Sequence, residues 1–353
     1  MKSAVKRILP KWLKDSVLYT KKILGLVLPP LFKGNSFMGS VYYAILSRQF
    51  DREHQAVLAG KVAYEEGVKK IGGSSTLLRR NIHRLEKGLI MEPRRDIFAE
   101  KFIEETVKTY QRAISQGCLQ SDEKKWFTDV LVEYFSVVKE TDLISKAKQL
   151  FLQSLVESEE EKRFIPYLFD ELPVTDIQYD ELNKLFIKRR SVRWYQDKGV
   201  PMKMIEKAVN IATLAPSACN RQPYSFYVSK TKSKAVELAK CAGGTQGWSE
   251  NIPCTIVVVG DLSAYPGERD RHLIYIDASL AAMQLMLALE TLGLSTCAIN
   301  WPDVKMAEQK MEELLGLKLY ERPIMLLSVG YGKENGSIPY SQKKSAQVLI
   351  KKV

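Results

Sequence analysis

Three arginines and one serine fall within five residues near the middle of the chain: Arg189, Arg190, Ser191 and Arg193. A guanidinium presents a planar fork of N–H donors that matches phosphate oxygens, and a serine hydroxyl adds a neutral donor. Residues 182–188 predict a helix that ends just before this arginine motif. Two interpretations stay open at this point: a phosphate-binding site, or a solvated basic helix end, because charge runs are common on protein surfaces.

A second polar set follows a predicted helix at residues 201–214, which has a proline near its first turn. Pro216 and Pro223 prevent the helix from continuing and predict an ordered loop. Short polar side chains in this loop could hold the edge of a heteroaromatic ring. They are Ser217, Asn220 and Gln222.

A third basic element is predicted at residues 77–88, as a helix with one apolar stripe and most of its cations off that stripe. Gly88 is predicted to end this helix. The helix could form a basic wall beside a cofactor or an anionic substrate, or it could be a plain surface helix. The sequence leaves both interpretations open.

The elements that carry these residues change in type along the chain. Residues 38–165 predict mostly helix, because long stretches lack Pro and Gly and apolar residues recur three and four apart. A linker with Pro and Asp follows, and we place a domain boundary near residue 175. Beyond it, strands are predicted at 224–229, 255–261, 294–299 and 323–329, and helices at 271–292 and 304–315. The helix at 271–292 is apolar almost all round, which predicts a central or interface position.

Composition is that of a soluble globular protein, with 45% hydrophobic and 27% charged residues in 353. Of the net charge of +12, +7 lies in residues 1–33, which weakens a nucleic-acid-binding interpretation of the whole chain. Five scattered cysteines without a CxxC pair argue against a zinc site or a disulfide framework and fit a reducing compartment. Three histidines are too few for a His-rich metal centre. We therefore predict a cytoplasmic protein without a metal site.

The N-terminal segment, residues 1–33, mixes its cations with apolar residues. Its longest apolar run, residues 23–28, is too short to span a bilayer, which takes about 20 residues. That run ends at Pro29 and Pro30 instead of the small residues of a signal-peptide cleavage site. The segment could lie on the inner face of an anionic membrane as a peripheral contact, or it could be a terminal helix that packs on its own protein.

The motifs occur in an order that resembles the nitroreductase family of FMN-dependent oxidoreductases, over about residues 182–353. Five motifs carry the resemblance: Arg189–Arg193, Ala215–Pro223, Asp277–Ala282, Leu292–Cys297, and Val329–Gly332 followed by Lys343. By contrast, the glycine-rich stretch 243–247 precedes its strand, so it does not match a Rossmann fingerprint, and no P-loop or Ser/His/Asp arrangement is present.

The resemblance implies an α+β fold, a nitroreductase-like mixed sheet flanked by helices, and the periodicity above predicts a mainly helical N-terminal region before it. Three regions are therefore predicted. Composition and periodicity give a basic amphipathic segment at 1–33 and a helical extension at 34–175, and the resemblance implies a nitroreductase-like FMN-binding domain at 176–353. It also implies an intertwined homodimer with FMN at the interface.

The resemblance further implies which residues bind the flavin. Arg189 and Lys343 would grip the phosphate, with Lys344 beside them where arginine is common in the family, and Arg193 would approach the N1/O2 edge of the ring. Arg190 and Ser191 belong to the same motif. The loop residues Pro216, Ser217, Ala218, Asn220 and Gln222 would reach the flavin of the partner subunit. Asn300 and Trp301 fall where the family places backbone donors near N5; glycine is usual at the Trp301 position, so a tryptophan there could shape the substrate site.

The implied activity is hydride transfer from NAD(P)H through flavin N5 to a small organic acceptor, in a ping-pong sequence. The flavin would carry the chemistry, so no separate catalytic residue is predicted. Residues 81–88 resemble extensions of nitroreductase-like proteins from bacterial polysaccharide clusters, which implies a link to polysaccharide biosynthesis. The alternative hypothesis is a non-catalytic flavin-fold assembly component of a membrane-associated glycan pathway.

Overall fold

The computed structural model describes residues 16, 19, 27–69, 71, 74–117, 119–155 and 162–353. The chain divides into two compact units, Met1–Gln55 and Ala56–Val353. Most of the predicted amphipathic segment at residues 1–33 lies outside the described residues. The predicted domain boundaries near residues 33 and 175 stay predictions.

In the first unit, helix α1 (Ser36–Val41) begins at Asn35, whose side chain accepts a hydrogen bond from the Met38 amide over 2.9 Å. Such a side chain satisfies one of the amides that a helix start leaves without a partner. A π-helical turn, Tyr42–Ser47, follows and ends at Arg48, whose φ is 57°. The described part of this unit is therefore helical, as predicted for residues beyond 38.

Five helices make up most of the region between residues 51 and 155: α2 (Asp51–Lys69), α3 (Thr76–Leu89), α4 (Glu100–Gln116), α5 (Ser121–Val137) and α6 (Asp142–Leu152). Helices α3 to α6 share a hydrophobic core in which Leu78, Ile82, Tyr110, Phe127 and Tyr134 are fully buried. The prediction of a mainly helical N-terminal region is confirmed.

The prediction that Gly88 ends its helix is wrong, because α3 continues to Leu89 and is capped at Ile90. A Cβ atom at Gly88 would lie 2.4 Å from the ring of Phe98. Glycine is therefore present for the close approach of that ring rather than for a left-handed turn.

The C-terminal half alternates helices with a four-stranded sheet. Its elements are α7 (Tyr179–Lys188), α8 (Met202–Ala212), β1 (Tyr224–Val228), α9 (Lys232–Ala239), β2 (Cys254–Asp261), α10 (Leu273–Thr291), β3 (Ser295–Asn300), α11 (Lys305–Leu315), β4 (Glu321–Gly330) and α12 (Ala346–Leu349). The strand order is β1-β2-β4-β3, and these strands pair antiparallel. A parallel bridge between Ser191 and Thr296 adds a parallel component. The α+β fold class is confirmed.

Both faces of the sheet are covered by helices, as the continuous apolar run of β2 predicts. Successive side chains of a strand point to opposite faces. Ile256 and Val258 pack in one core with α8 and α10, while Val257 and Val259 pack in a second core with α9 and α11. Helix α10 is long and apolar enough to cross a membrane by length and composition, yet 50% of its most apolar stretch is buried inside the protein. It is a core helix that keeps an exposed apolar face.

Candidate functional site

The arginine motif, Arg189–Arg193, lies between the end of α7 and the edge of β3. Helix α7 ends at Lys188, and the backbone of Arg189 is extended. Ser191 then bridges Thr296, and the Val192 amide donates to the Thr296 carbonyl over 3.0 Å. The arginines are therefore carried on extended backbone beside the sheet, not on the helix itself.

Two residues outside the motif hold its backbone in place. The buried hydroxyl of Tyr195 lies 2.7 Å from the Val192 carbonyl and 2.7 Å from the Ser328 hydroxyl. Burial raises the pKa of Tyr195, so it stays a neutral phenol. Asn251 accepts from the Tyr195 amide over 2.7 Å and donates to the Arg193 carbonyl over 2.6 Å. No sequence pattern pointed to Asn251, which is 58 residues away from Arg193 along the chain.

A cavity of about 90 Å³ brings together five of the predicted site residues. It is lined by Arg189, Arg190, Ser191 and Arg193 from the motif and by Lys343 from the chain end, with residues 338–341 completing the wall. The Nε atom of Arg189 is buried and has no hydrogen-bond partner within the described part of the chain. Three guanidiniums and one ammonium therefore meet in this cavity, and the Arg189 guanidinium has an unsatisfied donor. Such a site fits a phosphate.

A neighbouring pocket of about 420 Å³ shares Arg190 and Lys343 with this cavity. Lys344 is exposed and lines neither of the two. The fold thus brings the arginine motif and the chain end together, although they are about 150 residues apart in the sequence. Lys343 is the lysine of the chain end that lines the cavity.

The loop at residues 215–223 adopts an unusual backbone. Cys219, Asn220 and Gln222 all have left-handed φ values between 50° and 53° although none is glycine. Such conformations cost about 1–3 kcal/mol each and persist only where the surroundings enforce them. Asp277 accepts a hydrogen bond from the Ala218 amide over 2.9 Å, and Ser217 accepts from the Gln222 amide over 3.1 Å. These contacts stabilise the loop from within the C-terminal half.

Arg79, on α3 of the helical extension, holds the same loop from the other side. Its Nε donates to the Asn220 carbonyl over 2.7 Å, and one terminal nitrogen donates to the Gln222 side-chain oxygen over 3.0 Å. The other terminal nitrogen pairs with the buried carboxylate of Glu123 over 2.9 Å. Sequence reasoning placed basic residues on this helix but did not find that Arg79 contacts the loop, because the two are 141 positions apart.

The segment Asn300–Trp301 leaves the end of β3. Asn300 is exposed, whereas Trp301 is only 7% exposed and packs in the core beneath α11. The Trp301 indole N–H donates to Glu308 over 2.5 Å, and Arg322 pairs with the same carboxylate over 3.0 Å. The tryptophan side chain is therefore held by a buried ion pair.

The loop residues and the cavity residues form two separate groups in one chain. Pro216, Ser217, Ala218, Asn220 and Gln222 line neither the 90 Å³ cavity nor the adjoining pocket. Within the described residues, no group of three or more His, Cys, Asp or Glu side chains is placed to hold a metal ion.

Glu290 lies near the end of α10, beside the arginine motif, and its carboxyl group makes the free energy of unfolding depend on pH. Its carboxylate lies 3.8 Å from Lys188, and burial raises its pKa while the charges of Lys188 and Arg189 oppose that rise. The folded state then binds the proton more tightly than the unfolded chain, so this stabilising contribution is lost as pH rises from about 4.5 through the folded pKa.

We therefore expect the wild type to lose stability relative to Glu290→Gln as pH rises from 4.5 to 7.5. The loss should be about 1.4 kcal/mol for each tenfold difference in the proton affinity of Glu290 between the folded and the unfolded chain. Urea unfolding at both pH values measures this. A stability difference that does not change with pH would contradict it.

Comparison with known proteins finds relatives of one family. The sequence profile described as "Nitroreductase family" matches residues 187–244 and 233–331. A protein of Archaeoglobus fulgidus named "Putative NADH dehydrogenase/NAD(P)H nitroreductase" is 32% identical over 160 residues, which cover 44% of this chain and 87% of that protein. Human iodotyrosine deiodinase 1 is 24% identical over 224 residues, which cover 55% of this chain and 76% of that protein.

Solved structures of the same family are also similar. A nitroreductase family protein from Streptococcus pneumoniae TIGR4 is 28% identical, with a TM-score of 0.42, and the match covers 49% of this chain and 100% of that one. An FMN-dependent nitroreductase from Clostridium difficile R20291 is 27% identical, with a TM-score of 0.39, and the match covers 44% of this chain and 91% of that one. The identity to the archaeal relative over most of that protein's length, together with the profile match from the arginine motif to the last strand, shows that the chain belongs to the nitroreductase family.

Proposed function

We propose that this oxidoreductase-family protein binds FMN and passes reducing equivalents from NAD(P)H to a small organic acceptor. The observation that carries the proposal is the 90 Å³ cavity in which Arg189, Arg190, Arg193 and Lys343 converge. The buried Nε of Arg189, which lacks a partner among the described residues, is the donor that a phosphate oxygen would satisfy.

Each residue of the cavity has a proposed task. Arg189 and Lys343 would bind the phosphate, and Arg193 would stabilise negative charge on the ring edge, with its backbone held by Asn251. The bound flavin would supply the hydride relay between NAD(P)H and the acceptor. The protein would contribute binding, orientation and a fixed positive charge.

We also propose that the working form is a homodimer in which the 215–223 loop reaches the flavin of the partner subunit. The separation of this loop from the cavity within one chain supports the proposal, since a second subunit could supply the missing wall. Large apolar side chains remain exposed on α7 and α10, among them Phe186 at 42%, Ile276 at 53% and Leu280 at 44%. Such a surface fits an interface better than solvent.

Titration with FMN tests the proposal directly. We expect the purified protein to show flavin absorption, and Arg189→Ala to raise the FMN dissociation constant roughly 10- to 100-fold, because a charge-assisted hydrogen bond contributes about 1.5–3 kcal/mol. Arg269→Ala is the matched control, since that side chain is 89% exposed. A protein that stays colourless after FMN is added, or an unchanged affinity in Arg189→Ala, would defeat the proposal.

The acceptor is tested by turnover of the FMN-loaded protein with NADH and with NADPH. Because the relatives include proteins named as a nitroreductase and as iodotyrosine deiodinase, a nitroaromatic and an iodotyrosine are the two acceptors to compare. The alternative hypothesis, a non-catalytic component of a membrane-associated glycan pathway, predicts no NAD(P)H oxidation with any acceptor. Sustained turnover would remove it.

A further inference from the structure

Two guanidiniums of the helical extension and one of the 215–223 loop form a group without ion-pair partners among the described residues. It consists of Arg80 and Arg84 on α3 and Arg221 just after the turn Ala218–Asn220, and we call it the guanidinium cluster. Arg79, one residue earlier on α3, binds the loop backbone at Asn220 and so fixes α3 against the loop. The cluster therefore has a defined position next to Cys219, at the centre of the loop.

Aromatic rings, instead of carboxylates, support two of these side chains. The guanidinium of Arg84 lies 3.7 Å from the ring centre of Phe102, and that of Arg221 lies 4.8 Å from the ring centre of Tyr265. A guanidinium stacked on a ring keeps the N–H groups along its edge free for a ligand. None of the three arginines forms an ion pair with any residue that the structure describes.

Arg221 is the most deeply buried member. It is 7% exposed, and its Nε has no hydrogen-bond partner among the described residues. Burying an N–H donor without an acceptor is costly, so such a side chain is more consistent with a binding site than with plain packing. The Nε–H of Arg221 is thus a donor in need of an acceptor.

The charges of Arg80 and Arg221 both act on Arg84. The pKa of Arg84 is lowered by burial first and then by the charge of Arg80, with a smaller contribution from Arg221, while Cys219 and Glu105 oppose this change. Glu105 interacts electrostatically with Arg84, and Asp277 interacts with Arg221.

Both carboxylates already have other partners. Glu105 accepts from the Asn81 amide over 3.2 Å, and Asp277 accepts from the Ala218 amide and the Tyr265 hydroxyl. Neither carboxylate forms an ion pair with Arg80, Arg84 or Arg221 among the described residues, so the three guanidiniums concentrate positive charge beside the loop.

We propose that Arg80, Arg84 and Arg221 bind an oxyanion group, a carboxylate or a phosphate, of the molecule that exchanges electrons at the partner subunit's flavin. The guanidinium fork matches both groups, and a bound oxyanion would satisfy the Arg221 Nε and offset the positive charge of the cluster. This inference rests on the proposed function and narrows it to anionic substrates. It also assigns a role to the helical extension, which would both hold the loop and select the substrate.

Calorimetry without turnover tests the cluster itself. The probes are benzoate, phenyl phosphate and the neutral benzyl alcohol, titrated into full-length protein with FMN and again without it. We expect benzoate, phenyl phosphate or both to bind the wild type, and Arg84→Gln to weaken that binding at least about tenfold. Which of the two anions binds more tightly distinguishes a carboxylate ligand from a phosphate ligand.

Controls keep this measurement decisive. Arg80→Gln is the second variant, in case Arg84→Gln does not fold, and Arg84→Lys keeps the charge but loses the fork, so it should restore binding only in part. Arg269→Gln removes an exposed arginine elsewhere and should bind like the wild type. Absence of anion binding to the wild type, or wild-type affinity in both Arg84→Gln and Arg80→Gln, would overturn the proposal.

Steady-state kinetics with three para-substituted acceptors separates the two proposals. The acceptors are 4-nitrobenzoate, 4-nitrophenyl phosphate and 4-nitrobenzyl alcohol. We expect Arg84→Gln to raise the ratio of KM for the preferred anion to KM for the alcohol by about tenfold. Turnover with an unchanged KM ratio would contradict anion binding by the guanidinium cluster and would leave the proposed function intact. A protein that never binds FMN would contradict the proposed function. Calorimetry on the flavin-free protein would still show whether the guanidinium cluster binds an anion.

Discussion

Arg79→Met is expected to lower the free energy of unfolding by about 3–5 kcal/mol, because it leaves the carboxylate of Glu123 buried without its cation. Glu123 is 8% exposed, and its second oxygen already lacks a hydrogen-bond partner among the described residues. The same change removes the donors to Asn220 and Gln222, two of the residues with left-handed backbone. Urea unfolding measures the first effect, and amide hydrogen exchange of the 215–223 loop measures the second.

The double variant Arg79→Met/Glu123→Gln separates these two consequences. Without the buried carboxylate, stability should return to within about 1–2 kcal/mol of the wild type. Hydrogen exchange in the loop should stay fast, and FMN affinity should stay below that of the wild type, since the loop would still lack its support from α3. If the double variant regains both slow exchange and wild-type FMN affinity, Arg79 has no positioning role.

Arg322→Leu is the second change with a large expected effect, again about 3–5 kcal/mol of unfolding free energy. Arg322 and Glu308 are each 1% exposed and pair over 3.0 Å, and Arg322 also bonds Asp303 over 2.8 Å. Removing the guanidinium takes away the cation that pairs with the buried Glu308 carboxylate. Chemical denaturation of the variant and the wild type measures the loss.

A double-mutant cycle with Glu308→Leu provides the control. Apolar replacement of both members of a buried ion pair is often close to neutral, so Arg322→Leu/Glu308→Leu should recover most of the lost stability. One nitrogen of Arg322, Nη1, has no partner within the described residues, which indicates that the wild-type pair is not fully satisfied. Additive losses in the cycle would contradict this account.

Much of the fold is predictable from local patterns. The apolar run at 255–261 predicted β2, the all-round apolar stretch at 271–292 predicted α10, and Pro201 marked the start of α8. These predictions hold because strand and helix formation depend on side-chain spacing within a few residues. Gly88 is an exception, because a Cβ atom at this position would clash with the ring of Phe98, which lies outside the helix. Local spacing therefore could not predict why glycine is present there.

The order of the motifs, which indicates the family, can be read directly from the amino-acid sequence, and so can the arginines and the lysine that line the 90 Å³ cavity. The contact of Asn251 with the Arg193 backbone, the burial of Trp301 against Glu308 and the support of the loop by Arg79 become visible only in the folded chain. The difference lies in the distance along the chain over which each property acts. Motif chemistry and backbone propensity are local properties of the chain, whereas these contacts join residues that packing alone brings together.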